Sequence, residues 1–214
     1  MIKNPYKGKF MAVEGLDGSG QTTQVVLIKD FLIENGFRVI TTKEPTLNSE
    51  SGLRIRKVLD EKMKISPDEL QRLFAQDRKE HLEKLIIPNL EKGSFVVSDR
   101  YFFSSFAYGS SEDISLDSLI ELNNDFLIPD LTIILKVRPE VCISRIEKRG
   151  TAKTLFEKTS KLAKVWKTYE IMPKRFENVI IIDGERPISE VFNEIKNIIF
   201  SKLFQDKYGR DFTK

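Results

Sequence analysis

Gly15-Leu16-Asp17-Gly18-Ser19-Gly20-Gln21-Thr22 follows the spacing G-x-x-x-x-G-K-S/T at every fixed position except the lysine. Glycines in such a segment let the backbone curl until successive N–H groups converge on phosphate oxygens. A helix starting near Gln21 would aim its free N–H groups and its dipole at the same anion. These residues, with Thr23 after them, are candidates for holding nucleotide phosphates, and the Thr22 hydroxyl for ligating Mg²⁺. A plain glycine-rich turn is the alternative, but the apolar strand before it and the amphipathic helix after it favour phosphate. A lysine would set a full charge on the terminal phosphates, and the neutral amide of Gln21 cannot. By analogy with buried charged pairs, that loss costs about 2–5 kcal/mol. Taken from transition-state stabilisation, it is a rate loss of about 30-fold to several thousand-fold. Three readings stay open: another cation takes the post, the chemistry is slow, or the chain binds nucleotides without turning them over.

Strands and helices must position these groups. Short β-branched runs at 10–13, 38–42, 95–98, 131–137 and 179–182 alternate with helical patterns such as Gln24, Leu27, Ile28, Phe31 and Leu32. The alternation predicts an α/β domain whose five-stranded parallel sheet is covered on both faces. Ligands of open α/β sheets bind beyond the carboxyl ends of the strands. There the first run leads into the glycine-rich segment, the second into Thr42 to Pro45, and the third into Asp99, Arg100 and Tyr101. The fourth leads into Arg138 and Pro139, with proline suited to opening a helix, and the fifth into Asp183 and Gly184. The polar, basic interval 149–157 falls between two helical patterns and is expected to be a mobile loop.

Composition narrows the class. The chain has 214 residues, 40% of them apolar and 31% charged, enough for one domain with a real core and unlike a disordered chain. A net charge of +3 is spread along the sequence rather than gathered in one stretch, which favours a small anionic substrate over nucleic acid. The single cysteine, Cys142, allows no intrachain disulfide and no cysteine metal cluster, and its apolar neighbours make it a small buried hydrophobe. No window reaches the roughly 18 apolar residues of a membrane span. The N-terminal residues lack the apolar core of a signal peptide, so a soluble, cytoplasmic protein is expected.

The joint pattern is more specific than any piece of it. Glu14 to Gly20 is followed by Thr42-Lys43-Glu44-Pro45, then Leu73-Phe74-Ala75-Gln76-Asp77-Arg78. Ser98-Asp99-Arg100-Tyr101 and Ser104-Ser105-Phe106-Ala107-Tyr108 complete it. In order and spacing it resembles the thymidylate kinases, P-loop nucleoside-monophosphate kinases, over about residues 9–203. The resemblance implies a P-loop NTPase fold with a small lid, formed as a single domain over 1–204 (lid about 149–158) with a polar tail at 205–214. It implies ATP and dTMP as substrates, Mg²⁺ as cofactor and a homodimer. Phe74 would stack on thymine and Arg78 would hydrogen-bond it; spacing of four puts both on one helix face, although read alone Phe74 is core and Arg78 a surface charge. Asp17 would meet the sugar 3′-hydroxyl, Tyr108 would exclude a 2′-hydroxyl, and Pro45, Ser104 and Ser105 would line the acceptor site. Asp99 would hold Mg²⁺ through water, and Arg100 would bind the acceptor phosphate with its planar guanidinium; an isolated surface salt bridge between the two is the alternative.

On the donor side, the resemblance assigns Arg145 and Arg149 to ATP and leaves Arg149 or Lys153 to replace the missing charge at Gln21. The chain departs from the family at Gln21, in a lid without an arginine after Arg149, and at Gly109, where glutamine or threonine often stands. Relaxed acceptor choice, taking dUMP or other deoxynucleoside monophosphates, and a catalytically weak nucleotide-binding protein are the rival readings. His81, within a run of charges, is expected on a solvated helix face. Trp166 and Tyr169 are expected to be packing or interface residues. Ile195, Ile198, Ile199 and Leu203 have the spacing of a core-facing helix.

Overall fold

The computed structural model describes residues 1–148 and 155–204, the stretch 155–158 by its backbone alone. Strands β1 (Lys9–Gly15), β2 (Val39–Lys43), β3 (Phe95–Asp99), β4 (Leu131–Lys136) and β5 (Val179–Asp183) form one sheet in the order β2-β3-β1-β4-β5. Every pairing is parallel. β1 is the middle strand, so both of its faces must be covered. Side chains alternate across a strand, and here they divide the core. Phe10 and Ala12 join one apolar cluster and Met11 and Val13 the other.

The second cluster is closed by α1 (Gln21–Glu34) and α9 (Ile188–Leu203), through Val25, Ile28, Leu32, Ile195 and Ile199. Ile198 and Leu203 pack against it, as the helical spacing of the C-terminal stripe requires. On the other face lie α3 (Pro67–His81), a π-helical turn at Leu82–Ile86 and α4 (Ile87–Glu91), then α5 (Phe102–Ser110), α6 (Leu116–Leu122), α7 (Pro139–Glu147) and α8 (Leu155–Arg175). A short α2 (Glu50–Leu59) packs on α3. Ser66 caps α3 by accepting from the Glu69 N–H, and Pro67 opens its first turn.

Register brings the expected chemistry together. Val13 pairs with Asp99 and Lys43 pairs with Asp99, so the exits of β1, β2 and β3 lie side by side. One expectation needs correction. Leu155 already opens α8, so residues 155–157 are helix rather than loop, because the 3.6-residue pattern of α8 extends further toward the N-terminus than its polar composition showed. Arg149, Lys153 and the tail 205–214 lie outside the described residues.

Candidate active site

Residues 16–20 join β1 to α1. Gly18 and Gly20 have φ of 88° and 102°, a region that L side chains rarely adopt. Gly18 is doubly constrained, since a Cβ there would stand 2.5 Å from the Cys142 carbonyl oxygen on α7. Gly20 begins α1 with no side-chain cap, which leaves the first-turn N–H groups available to an anion.

Gln21 turns inward and is buried. Its Nε2 donates to the Gly15 carbonyl oxygen at 3.0 Å, and its Oε1 accepts from Arg100 Nη2 at 3.3 Å. Arg100 also donates to Gly15 O at 3.1 Å, Ser104 Oγ at 2.8 Å and Asp17 Oδ1 at 2.7 Å. Its backbone has φ of 74°, a conformation costing about 1–3 kcal/mol in a non-glycine residue. That turn after β3 carries the guanidinium back across the end of β1. Burial opposes its charge, but Asp17 first, then Tyr108, Tyr169 and Glu14, outweigh burial and raise its pKa above the ordinary arginine value. The cation nearest Gln21 among the described residues is thus one expected at the acceptor phosphate.

Thr22 Oγ1 donates to Asp99 Oδ2 at 2.6 Å, and Lys43 Nζ reaches the same oxygen at 3.0 Å. A hydroxyl and a carboxylate beside a phosphate loop suit Mg²⁺, which takes few protein ligands and completes its shell with water and phosphate oxygens. Among the described residues no group of three or more His, Cys, Asp or Glu could hold a metal alone.

Beneath Arg100 lies Glu14, for which the motifs suggest no role. Glu14 is fully buried. Its Oε1 accepts from the Tyr101 N–H at 2.8 Å and the Ser104 N–H at 3.2 Å, and its Oε2 from Ser104 Oγ at 2.6 Å and Tyr169 Oη at 3.0 Å. Burial pushes the carboxyl up to about 7, although Arg100 and these hydrogen bonds pull it down. Tyr169 is accordingly more than a packing residue: its hydroxyl ties α8 to the end of β1. A glutamate directly after the apolar run from Phe10 to Val13 was the available signal.

A cavity of about 610 Å³ opens over Asp17, Lys43, Glu44, Pro45, Arg56 and Arg100. It adjoins a smaller one of about 130 Å³, lined by Phe74, Arg78, Ser104, Ser105 and Tyr108 together with Gln71. That volume matches about four water molecules, room for a single ring. Phe74 is half-buried and Arg78 fully so. Arg78 Nε donates to Glu44 Oε2 at 2.8 Å, Nη2 to Ser105 Oγ at 3.0 Å, and Nη1 to Asn123 Oδ1. Asp17 N–H donates to Tyr108 Oη at 3.1 Å, placing that ring between the phosphate loop and the small cavity.

His81 is not on a solvated face. It is buried, with Nδ1 3.1 Å from Glu44 Oε1 and Nε2 2.6 Å from Thr42 Oγ1. Asp77, Arg78 and His81 form the inward side of α3, while Lys79, Glu83 and Lys84 face solvent. A charged run hides that division because its inner partners, Glu44, Thr46 and Ser49, come from distant sequence.

Across the phosphate loop a third cavity, of about 150 Å³, is lined by Gly18, Ser19, Gly20, Thr23, Arg145 and Arg186 among others. Arg145 donates to Ser19 O at 3.2 Å and Gly184 O at 3.3 Å. Arg186 was not foreseen, because it lies in the turn beyond β5 with no motif around it.

A phosphate loop on the central parallel strand, a threonine–aspartate pair beside it and cavities on both sides define a P-loop nucleotide-binding protein. A family model described as thymidylate kinase matches residues 13–195. The chain is 37% identical over 199 residues to a thymidylate kinase of Caldicellulosiruptor saccharolyticus, covering 90% of this chain and 96% of that one. It is 38% identical over 194 residues to a probable thymidylate kinase of Archaeoglobus fulgidus, covering 90% and 95%. A probable thymidylate kinase of Pyrococcus horikoshii is 37% identical over 203 residues, 92% of this chain and 98% of its own. The chain belongs to the thymidylate kinase family and is, as such, a nucleotide-binding phosphotransferase.

Proposed function

We propose that the protein transfers the γ-phosphoryl group of ATP to dTMP, giving dTDP and ADP. The observation that carries this reading is the continuity of the two acceptor-side cavities, with Asp17 and Arg100 lining both and Phe74 and Arg78 lining the smaller. A monophosphate placed with its base by Phe74 and Arg78 brings its phosphate toward Arg100 and the phosphate loop. Phosphoryl transfer asks the protein for positioning and charge neutralisation rather than covalent chemistry. The attacking group is an acceptor phosphate oxygen already ionised at neutral pH, so no general base is required.

Each side chain then has a task. Arg100 holds the acceptor phosphate, Asp17 the sugar 3′-hydroxyl, and Tyr108 fills the 2′ side. Pro45, Ser104 and Ser105 complete the acceptor wall. The phosphate-loop N–H groups hold the donor phosphates, with Arg145 and Thr23 on the donor side. Thr22 and Asp99 would hold Mg²⁺, which when bound neutralises charge on the donor phosphates. A single domain with a lid at about 149–158, a homodimeric assembly and a cytoplasmic setting belong to the same reading and rest on family likeness. No described helix is long and apolar enough to cross a membrane.

An ADP-release assay across a panel of monophosphates tests the proposal. dTMP should give the highest kcat/KM, and Arg100→Ala and Phe74→Ala should each raise the KM for dTMP at least tenfold, about 1.4 kcal/mol, while that for ATP hardly changes. Turnover of dUMP equal to that of dTMP would favour relaxed acceptor choice. Absence of turnover with every acceptor would leave a nucleotide-binding protein.

A further inference from the structure

Gln71 was singled out by no motif, yet it lies on the face of α3 that bears Phe74 and Arg78, at i, i+3 and i+7. It lines the small cavity with them and is 6% exposed. Its Oε1 is buried and has no hydrogen-bond partner among the described residues. Buried polar atoms are nearly always paired, and an unpaired acceptor is a standing cost to the fold. Gly109 on α5 makes room for this amide: a Cβ there would stand 3.2 Å from Gln71 Cδ and 2.8 and 2.9 Å from the Leu119 methyls.

We propose that Gln71 is a specificity-determining residue whose Oε1 accepts the N3–H of a 2,4-dioxopyrimidine. The assignment rests on the dTMP reading of the cavity and deepens it. Thymine and uracil carry a donor at N3, whereas cytosine carries an acceptor there, so the Gln71 oxygen pairs with thymine and uracil as the side chain stands, and cytosine requires the amide to turn over and present Nε2. A site built to pair with a substrate N–H rejects the analogue lacking it because the buried group is left unpaired. Selection against cytosine then arises at Gln71, while Arg78 is held by Glu44, Asn123 and Ser105.

The test is read in binding, so that it does not depend on turnover. Calorimetric titration of wild type, Gln71→Met and Gly109→Ala with dTMP, dUMP and dCMP gives the ratios of dissociation constants. Gln71→Met should weaken dTMP and dUMP about tenfold and dCMP hardly at all, so the dTMP-over-dCMP preference falls about tenfold. Gly109→Ala should lower the same preference about threefold by displacing the amide, without altering Gln71. Because the methionine removes an unpaired buried acceptor, Gln71→Met should also raise Tm by roughly 2–4 °C. An unchanged preference in both variants overturns the assignment, whatever Tm does. Failure of wild type to bind any of the three overturns both the pocket and Gln71. Binding with the expected shifts but without phosphoryl transfer upholds Gln71 and sinks only the kinase reading.

Discussion

Glu14 is a carboxyl whose environment lies far from that of a free side chain. Burial raises its pKa from 4.5 to about 7, so the folded protein holds this proton more tightly than the unfolded chain. The stability it contributes is fully present below pH 4.5, declines as pH rises through the window between 4.5 and 7, and is lost above 7. By linkage the change is about 3 kcal/mol. Glu14→Gln keeps an acceptor for the Tyr101 and Ser104 N–H groups but cannot ionise. Urea unfolding at pH 4.5 and 7.5 should therefore show a loss of stability in wild type that is about 3 kcal/mol larger than in the variant. Equal losses would mean that Glu14 is solvated or protonated in the same way in both states. Proximity to apolar Ala12 and Val13 hinted at this burial, but the hydroxyls of Ser104 and Tyr169 that complete the site come from 90 and 155 residues away.

At the scale of elements, α5 does two jobs with one nine-residue helix. Phe102, Phe103 and Phe106 enter the core, while Ser104, Ser105 and Tyr108 line the small cavity. The 3.6-residue period separates the two sets, so the serine–serine–tyrosine spacing is legible as one helix face in the amino-acid sequence. Tyr108 is held at its place by the Asp17 N–H, which ties the wall of the proposed sugar subsite to the phosphate loop. Tyr108→Ala should narrow the preference for dTMP over its ribose counterpart by tenfold or more in kcat/KM, while that for dTMP falls less. A preserved ratio would take Tyr108 out of sugar discrimination. The matching reading of α3 was only half available. Phe74 and Arg78 were legible as a pair, but Asp77 and His81 looked like surface charges because hydropathy cannot distinguish a buried polar network from a solvated one.

For the whole molecule the question is how the transition state is neutralised without the phosphate-loop lysine. The charge on the moving phosphoryl group needs compensation beyond Mg²⁺. Arg149 and Lys153, the cations expected from the family resemblance to supply it, lie outside the described residues and are tested by substitution. Replacing the responsible residue with alanine should lower kcat by about 10²-fold, near 3 kcal/mol, with ADP affinity little changed. Gln21→Lys in that background should recover part of the rate. If both alanine variants turn over normally, Arg100, which already hydrogen-bonds Gln21, is the next candidate. Its loss would weaken dTMP and slow the chemistry together, whereas a dedicated lid cation would leave the KM for dTMP in place.

The amino-acid sequence by itself determined the alternating architecture, the phosphate loop and the order of the acceptor motifs, because these depend on short-range periodicity and on residues whose chemistry needs no distant partner. Glycines at positive φ and the apolar face of α9 belong to the same class. Tertiary structure alone decided what depends on neighbours remote in the chain. It turned Glu14 into a buried carboxyl, seated His81 between Thr42 and Glu44, drew Arg100 across to Gln21, and left the Gln71 oxygen buried without a hydrogen-bond partner among the described residues, beside the cavity that Phe74 and Arg78 share. The physical reason is desolvation. A polar side chain takes its charge state and its function from which groups exclude water around it, and in a parallel α/β sheet those groups arrive from strands and helices dozens of residues apart.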